Sequence, residues 1–428
     1  MNKPIDNRQI WAWCFFDFAN SPFTTLVVTF IFAAYFTQSI AADPIQGTEL
    51  WSRAVAITAI VVALLSPFLG AMADRGGWRK IMLAIATAIC AVGTFALYWV
   101  QPGQVLAALV LFCIANIAFE MGMVFYNAFL PDIAEPSKLG RISGFGWGLG
   151  YVGGLLALVV SLVGLIQAET PWFGFARETG EHIRASNLLV ACWLVLFSIP
   201  LFLFVKSQPP PPPSSSLFLG TLRNLKSTLS HIRQFRQIVR FLLARLVFND
   251  GLVTLFAFGG IYAAGTFAFS IEEILVFGMV LNILAGLGAI GFGFIDDVLG
   301  GKRTLIISLW GLIIAAILAV LAPTRFWFWV ASILVGIMAG PNQSASRSLM
   351  ARFIPEGKEN EFFGFFAFSG KATAFAGPAL LGILTSAFHT QRAGIAIVLV
   401  LFAVGLILIA WVDEKEGIAA AANSVSTQ

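Results

Sequence analysis

The chain has 428 residues, of which 58% are hydrophobic and only 11% are charged. A soluble protein carries about 25% charged residues, so this composition excludes an ordinary soluble protein. The formal net charge of +4 is weak evidence for nucleic-acid binding. The cysteines, Cys14, Cys90, Cys113 and Cys192, all lie within apolar runs. We interpret them as small packing residues, and we expect no disulfide, no metal and no cofactor.

Apolar runs follow one another along the chain, and each is long enough to cross a hydrocarbon core of about 30 Å as a helix. Most are apolar on all sides, whereas the helices of a soluble bundle carry one apolar stripe. The sequence therefore predicts an all-α polytopic membrane protein with twelve transmembrane helices. The predicted spans cover residues 11–36, 51–73, 81–100, 104–130, 143–167, 186–205, 238–264, 272–296, 303–322, 326–350, 362–388 and 392–412.

Basic residues concentrate in the segments on one side of the predicted spans. If the N-terminus is cytoplasmic, the outer segments hold only Arg53, Arg177, Arg184, Arg325 and Arg392. The inner segments hold most of the others, including many between residues 206 and 240. By the positive-inside rule, both termini are expected to be cytoplasmic. We expect the membrane to be a bacterial inner membrane.

Residues 206–237 form the one large interruption between apolar runs. The prolines at 209–213 and the serines at 214–216 cannot continue a helix, and they predict an extended linker. Beyond them, apolar residues at helical spacing alternate with basic ones, which predicts an amphipathic helix on the inner membrane surface. This segment connects two halves, or alternatively it senses lipids or binds a partner. The predicted division is an N-terminal six-helix bundle (1–205), the linker (206–237), a C-terminal six-helix bundle (238–414) and a disordered tail (415–428).

A charged, glycine-containing turn occurs twice, at residues 70–80 and 293–303, each time between two apolar runs. The two copies agree at Gly70/Gly293, Asp74/Asp297, Gly77/Gly300, Arg79/Lys302 and Lys80/Arg303. Their separation of about half the chain predicts an internal duplication, and hence two pseudo-symmetric bundles.

These two turns are expected to form a cytoplasmic gate. A loop of mixed charge is usually solvated and contributes little to stability. Here Asp74 is expected to cap a neighbouring helix or to pair with a cytoplasmic arginine, holding the inner side shut. Asp297 is expected to do the same less tightly, because Val298 replaces the basic residue found at Arg75. Arg347, near the inner end of the tenth span, is expected to be a gate or interface charge.

Polar residues within the spans mark candidate sites, because a charge at the bilayer centre costs at least about 2.5–3.5 kcal/mol. In the fourth span, Asn116, Glu120 and Asn127 share one helical face. Glu120 lies near mid-span and either lines a cavity or pairs with a cation that holds the bundle together. In the first span, Asp17 and Asn20 share a face, and the functional and structural interpretations are equally open.

The second half offers a comparable set. Asn249 and Asp250 lie in the seventh span, and Lys371 in the eleventh is a partner for Asp250, for Glu120 or for a substrate carboxylate. Lys371 could alternatively lose its proton on desolvation. In the tenth span, Pro341 is expected to break the helix beside the candidate residues Asn342 and Gln343 and to free backbone carbonyls. Arg245 is expected to be a structural counter-ion on the face of Asn249.

The turn at 70–80 resembles the signature loop of the major facilitator superfamily. Other stretches resemble a family called unknown major facilitator, which is related to fungal vacuolar autophagy-associated amino-acid effluxers. They are residues 17–21 (Asp-Phe-Ala-Asn-Ser), 249–251 (Asn-Asp-Gly), 344–348 (Ser-Ala-Ser-Arg-Ser), 361–364 (Glu-Phe-Phe-Gly), 370–371 (Gly-Lys) and 377–378 (Gly-Pro). The resemblance covers nearly the whole chain and implies a secondary transporter that rocks two bundles around a central site. It also implies that spans one, four, seven and ten line the cavity, and it suggests amino acids or similar zwitterions as cargo.

The expected function is proton-coupled transport of small polar organic solutes, amino acids among them, with export favoured over import. Glu120 and Asp250 could load and release protons as the cavity changes sides. The alternative is a lipid or amphiphile translocator of the same fold. We expect no enzymatic activity and no nucleic-acid partner. The expected partners of the monomer are a small-molecule substrate, the lipid bilayer and protons.

Overall fold

The computed structural model describes residues 6–207 and 217–425. Within these residues the chain forms helices joined by turns, with no strand. The prolines and serines at 209–216, which are predicted to be an extended linker, lie outside the described residues.

Six spans make up the first half. The first begins with α1 (Asn7–Pro22) and continues through the π-helical segments Phe23–Phe30 and Phe36–Ile40, with α2 (Phe32–Tyr35) between them. Because Pro22 removes a backbone donor, the helix widens from this residue onward. The other helices are α3 (Pro44–Gly76), α4 (Arg79–Ala96), α5 (Val105–Asn127), the short α6 (Leu130–Ile133), α7 (Leu139–Ser161) and α8 (Glu181–Phe204).

The second half is preceded by α9 (Leu217–Ser230) and a 3-10 turn at Ile232–Phe235. Its spans seven to ten are α10 (Arg236–Phe267), α11 (Ile271–Leu299), α12 (Gly301–Leu321) and α13 (Arg325–Phe353). The eleventh consists of α14 (Glu359–Lys371) and α15 (Ala376–Phe388), the twelfth is α16 (Gln391–Ala410), and α17 (Glu414–Val425) follows it.

Within the described ranges, eleven helical spans are long and apolar enough to cross a membrane. The tenth span, α13, is a continuous helix of 29 residues, but a polar run at 342–348 interrupts its apolar sequence. Arg325 at its start pairs with Glu273 at the start of α11 at 3.0 Å. Arg352 near its end pairs with Asp296 near the end of α11 at 2.5 Å. Since α13 runs beside α11 from end to end, we count it as a span as well, which brings the total in the described ranges to twelve.

The prediction that Pro341 breaks the tenth span is wrong, because α13 continues through it. Proline lacks an N–H, so the carbonyl of Ile337 loses its helical donor. Gly288 of α11 packs directly against that carbonyl and against the Pro341 ring. On the side of α12, Asn342 Nδ2 donates to Ser308 Oγ at 3.1 Å. Packing against both neighbours holds the helix together at this point.

The prediction of a disordered C-terminal tail is wrong as well, because α17 covers most of it. Asp413 caps this helix by accepting a hydrogen bond from the N–H of Glu416 at 3.0 Å. The same bond lowers the pKa of Asp413. Glu414 accepts from the N–H groups of Gly301 and Lys302 at 2.9 and 3.1 Å, which anchors the tail to the start of α12.

The chain forms two compact units. The first comprises Met1–Val62, Gly77–Tyr126 and Leu149–Pro210, and the second comprises Ala63–Gly76, Asn127–Gly148 and Pro211–Gln428. The second unit therefore contains the ends of α3 and α5 and the start of α7 together with the whole second half. The bundle boundaries given by the sequence stay a prediction.

In the first unit, α7 packs against the first span through glycines. A Cβ added at Gly153 would collide with the carbonyl oxygen of Phe18, and one at Gly154 would lie 2.6 Å from Thr25 Oγ1. Trp193 of α8 donates to the same Phe18 carbonyl at 3.1 Å. Only a residue without a side chain permits this close approach of two spans.

We expect Gly153→Ala to lower the free energy of unfolding by about 1–3 kcal/mol, since it overpacks a tight interior. Thermal unfolding of the purified protein in detergent measures the loss. The matched control is Gly259→Ala in α10, where an added Cβ meets nothing within 4 Å. A melting temperature for Gly153→Ala as high as that of the control would contradict the contact.

Candidate functional site

The eleventh span is broken at its centre. α14 and α15 have 13 residues each, and residues 372–375 between them form turns. Pro378 lies in the first turn of α15, which is the part of a helix where proline is best tolerated. The break leaves the carbonyl end of α14 and the N–H end of α15 inside the apolar thickness. Both sets of backbone groups need partners there.

α10 supplies the partners for the carbonyl end of α14. Arg245 donates to the carbonyl of Phe366 at 2.7 Å and to Ser369 Oγ at 2.9 Å. Its guanidinium also lies 3.6 Å from the centre of the Phe366 ring. One turn later, Asn249 Nδ2 donates to the carbonyl of Gly370 at 3.1 Å. A cation and an amide donor therefore face the negative end of the α14 dipole.

Asp250, the next residue of α10, faces the positive end of α15. Its Oδ2 accepts a hydrogen bond from the N–H of Gly377 at 2.9 Å. A Cβ at Gly377 would collide with Thr254 Oγ1, so glycine is needed for α15 to approach α10 this closely. The other carboxylate oxygen, Oδ1, is buried and has no hydrogen-bond partner among the described residues. This oxygen can therefore accept a hydrogen bond from a water, from an added proton or from a donor group of a ligand.

Three predicted site residues thus meet at the break in the eleventh span. Asn249 and Asp250 contact its two ends, and Lys371 is the last residue of α14, half-buried beside Gly370. The expectation that Arg245 is a structural counter-ion of Asp250 stays a prediction. The contacts described above show that Arg245 binds Phe366 and Ser369 of α14.

The predicted residues of the first unit lie where spans one and four meet. Asn20 Nδ2 donates to the sulfur of Met123 at 3.4 Å, so the two polar faces do face each other. Asp17 is buried in α1, and Glu120 is half-buried in α5. Asn116 donates to Thr58 Oγ1 of α3 at 2.8 Å, which gives this amide a structural role between helices.

Arg347 of α13 is almost fully buried and binds helices of the first half. It donates to Ser143 Oγ at 2.9 Å and to the Ser143 carbonyl at 2.7 Å at the start of α7. It also donates to Asn127 Oδ1 at the end of α5, at 3.3 Å. These bonds give Asn127 a role in joining the two halves. Gln343 is half-buried, one turn before Arg347 on the same helix.

Asp74, at the end of α3, caps α14. Its Oδ1 accepts from the N–H of Asn360 at 3.0 Å and from Asn360 Nδ2 at 2.5 Å, and its Oδ2 accepts from the N–H of Glu361 at 2.8 Å. The prediction that Asp74 caps a neighbouring helix is confirmed. We call the side of the protein where α3 and α11 end and α14 begins the linker side.

Asp297, at the end of α11, caps α7 in the same way. It accepts from the N–H groups of Gly140 at 2.8 Å and Arg141 at 3.3 Å. It also forms an ion pair with the Arg141 side chain. Asp296 beside it pairs with Arg352 at 2.5 Å. Arginines of α7 and α13 thus supply positive charge beside Asp296 and Asp297, and the expectation that this cap holds less tightly than the Asp74 cap stays a prediction.

Glycines bring each capping aspartate within reach of its helix. A Cβ at Gly70 would collide with the carbonyl of Asn360, and one at Gly293 would lie 2.9 Å from the Arg141 backbone. Gly364 and Gly144, one turn into the capped helices, pack against backbone carbonyls in an equivalent manner. The duplicated turns therefore make equivalent contacts, because in each half an aspartate caps a helix and glycines permit the close approach.

The remaining residues of the two turns shape the connections. Gly77 and Gly300 adopt φ values of +64° and +90°, which favour glycine. Lys80 donates to the carbonyl of Val205 at 2.7 Å, and Lys302 to that of Ala410 at 3.0 Å. Each lysine thereby binds the carbonyl end of the sixth or twelfth span. Arg79 is buried and Arg303 is exposed.

Sequence reasoning missed the break in the eleventh span and the helix ends that the aspartates cap. Gly377 and Pro378 were a visible signal for the break, since proline inside a helix removes a hydrogen bond and favours a kink or a break. No comparable signal marks Asn360 and Arg141, because their role depends on which helices come together.

A family model described as "Vacuole effluxer Atg22 like" matches residues 48–422. The uncharacterized MFS-type transporter YxiO of Bacillus subtilis (strain 168) is 26% identical over 411 residues, which cover 95% of each chain. Autophagy-related protein 22-1 of Penicillium rubens is 24% identical, over 86% of this chain and 75% of the relative. Among solved structures, the MFS proton:xylose symporter XylE matches with a TM-score of 0.76 at 12% identity, over 98% of each chain. The fold is that of the major facilitator superfamily, and the protein is a multi-pass membrane transporter of small molecules.

Asp250→Ala is expected to lower the free energy of unfolding without any substrate, by about 1–3 kcal/mol, because the buried N–H of Gly377 loses its acceptor. Asp250→Asn, which keeps an acceptor oxygen, should lose less. Thermal unfolding in detergent provides the measurement. A more stable Asp250→Ala protein would mean that Asp250 serves a ligand alone and does not hold the break together.

Proposed function

Because this chain belongs to the Atg22-like vacuole effluxer family, we propose that it exports small polar organic solutes, amino acids first among them. The observation that carries this proposal is the broken eleventh span, with Asn249 and Asp250 of α10 at its two ends. Transporters bind substrates and coupling ions at discontinuous spans near the bilayer midplane. The break lies at the middle of a 30-residue span, where such a site belongs.

The charges at the break match a zwitterion. The open Oδ1 of Asp250 would accept a hydrogen bond from a substrate ammonium group. Lys371, at the end of α14, would attract the substrate carboxylate. An amino acid carries both groups a few bonds apart, whereas a sugar carries neither. We therefore favour amino acids over neutral polyols as cargo.

Export would be coupled to protons through carboxylates within the spans. Glu120 of α5 is the candidate in the first unit, and Asp250 is the candidate in the second. A carboxylate that changes between dry and wet surroundings during the cycle changes its proton affinity. Release of a proton on one side would then drive substrate release on the other.

The aspartate caps would control access from the linker side. Asp74 joins α3 to α14, and Asp297 joins α11 to α7, so each bond links a helix of the first half to one of the second. Arg347 adds bonds from α13 to α7. Opening the linker side would break all three sets, and their reformation would close it again.

We place the protein in a bacterial inner membrane as a monomer, with the linker side and both termini in the cytoplasm. Basic residues are concentrated on the linker side, and the positive-inside rule assigns such segments to the cytoplasm. Closing the linker side would then expose the substrate to the outside, which is the release step of an exporter.

Proteoliposomes provide the test of substrate and coupling. A panel of labelled amino acids is tested for uptake into inside-out vesicles under an imposed proton gradient. We expect uptake of some members of the panel. Glu120→Gln should retain exchange of labelled for unlabelled substrate but lose the response to the gradient. Glu178→Gln, an exposed loop carboxylate, is the control. Transport of fluorescent lipids in place of every amino acid tested would overturn the proposal in favour of a lipid translocator.

Asp74→Asn tests the linker-side gate. Bonds to a charged group contribute about 1.5–3 kcal/mol, so the open population on this side should rise about tenfold or more. Spin labels at Ser137 and Glu356, which lie in exposed linker-side loops of the two halves, report the separation by double electron–electron resonance. Glu416→Gln removes an acidic charge on the same side, outside the cap, and should leave the distances unchanged. Identical distances in Asp74→Asn and wild type would count against the gate.

A further inference from the structure

The segment 217–235, which we call the strap, lies beside the bond between Asp74 and α14. At its first end, the guanidinium of Arg75 rests on Gly220, where an added Cβ would collide with it. Arg75 Nη1 also lies 3.5 Å from Asn224 Oδ1. The strap therefore contacts the residue that follows the capping aspartate of the first half.

Its other end contacts the second half. Lys358, just before α14, donates to Thr228 Oγ1 at 2.9 Å. The Phe235 ring stacks edge-on against Phe362 of α14 with centroids 4.9 Å apart, and Lys358 Nζ lies 5.4 Å from its centre. The strap thus binds both helices that the Asp74 cap joins.

The strap buries its small and polar face and leaves its apolar face uncovered. Thr221 and Thr228 are buried against the protein. Phe218, Leu222 and Leu229, a quarter-turn away, are 61%, 44% and 52% exposed. A soluble surface helix has the reverse arrangement, because its apolar face is the one that packs.

This uncovered apolar face continues a surface that faces lipid. Phe218 packs against Phe68 of α3 with ring centroids 5.3 Å apart. One turn earlier on this transmembrane helix, Leu64 and Leu65 are exposed. Since α3 spans the membrane, the strap begins at the depth where hydrocarbon gives way to headgroups.

The charge of the strap is of one sign. Residues 217–235 contain three basic residues, Arg223, Lys226 and Arg233, all of them exposed, and no acidic one. Basic residues beside an apolar stripe are the pattern of a helix that lies in the surface of an anionic membrane.

We propose that the strap binds the anionic lipid surface of its own membrane and thereby holds the linker side closed. In the closed arrangement its contacts with Arg75, Lys358 and lipid are compatible, because they use different faces. Separation of α3 from α14 must release one end of the strap. Lipid binding adds to the affinity of the bridged state and shifts the equilibrium towards it. This step rests on the gate proposed above.

Fluorescence quenching tests the contact with lipid. A single NBD fluorophore at Leu222→Cys, in full-length protein whose native cysteines are replaced, is reconstituted into phosphatidylcholine vesicles with or without phosphatidylglycerol. Spin-labelled lipids should quench it, more strongly when phosphatidylglycerol is present, while aqueous iodide should not. Quenching by iodide alone would overturn the proposal, since the stripe would then face water and suit a soluble protein partner.

Distance measurements test the effect on the gate. With spin labels at Ser137 and Glu356, phosphatidylglycerol should raise the closed-to-open ratio about threefold or more, given that one basic residue near an anionic surface contributes about fivefold in binding. The variant Arg223→Gln/Lys226→Gln should abolish this response. The matched control Lys206→Gln/Lys415→Gln removes the same charge from exposed positions outside the strap and should keep it.

The two proposals fail in different ways. If Asp74→Asn opens the linker side but lipid composition has no effect on it, the strap does not act through the membrane. If neither change alters the distances, the gate itself is wrong. An equal loss of the lipid response in the strap variant and in its control would also overturn the strap, because any positive charge on that side would then suffice.

Discussion

An unpaired backbone group cannot be left in hydrocarbon, and this constraint governs α14. This half-helix ends in the middle of the membrane, so its last carbonyls need donors. Asn249 supplies one to Gly370, and Arg245 donates one turn earlier, to Phe366. Its first N–H groups, on the linker side, are bound by Asp74. The same 13-residue helix therefore touches the proposed substrate site at one end and the proposed gate at the other. A shift of α14 along its axis changes both sets of bonds together.

The two halves share the capping aspartates but differ in the charged groups around them. Asp74 and Asp297 each cap a helix of the opposite half, and glycines at equivalent positions permit the approach. Asp297 adds an ion pair with Arg141, whereas Arg75 turns its charge towards the strap. In chain order, α17 follows the twelfth span as the strap follows the sixth. The α17 helix binds the start of α12 through Glu414. The duplication preserves the caps and varies what surrounds them.

The sequence located most of the candidate residues but not their partners. Asn249, Asp250 and Lys371 stood out because polar residues are rare in apolar spans, and the structure brings them to one break. Asn116 stood out for the same reason, yet its amide donates to Thr58 of a neighbouring helix. The break expected at Pro341 is absent, and Gly288 and Ser308 of the neighbouring helices contact α13 at this point. A proline in the sequence shows that one backbone N–H donor is missing. It does not show how the neighbouring helices pack at that point.

The sequence alone predicts the class of the protein, the order of its spans and the duplication, and it offers capping as one of two roles for Asp74. These follow from composition, from the length of apolar runs and from residues that repeat at a fixed separation, all of which are local properties of the chain. The tertiary structure was needed to show that the eleventh span is broken, that Arg245 and Asp250 bind on the two sides of the break, and that the strap lies beside the Asp74 cap with its apolar face uncovered. Those features depend on which helices pack together, because a helix end is satisfied by whatever donor or acceptor its neighbour presents.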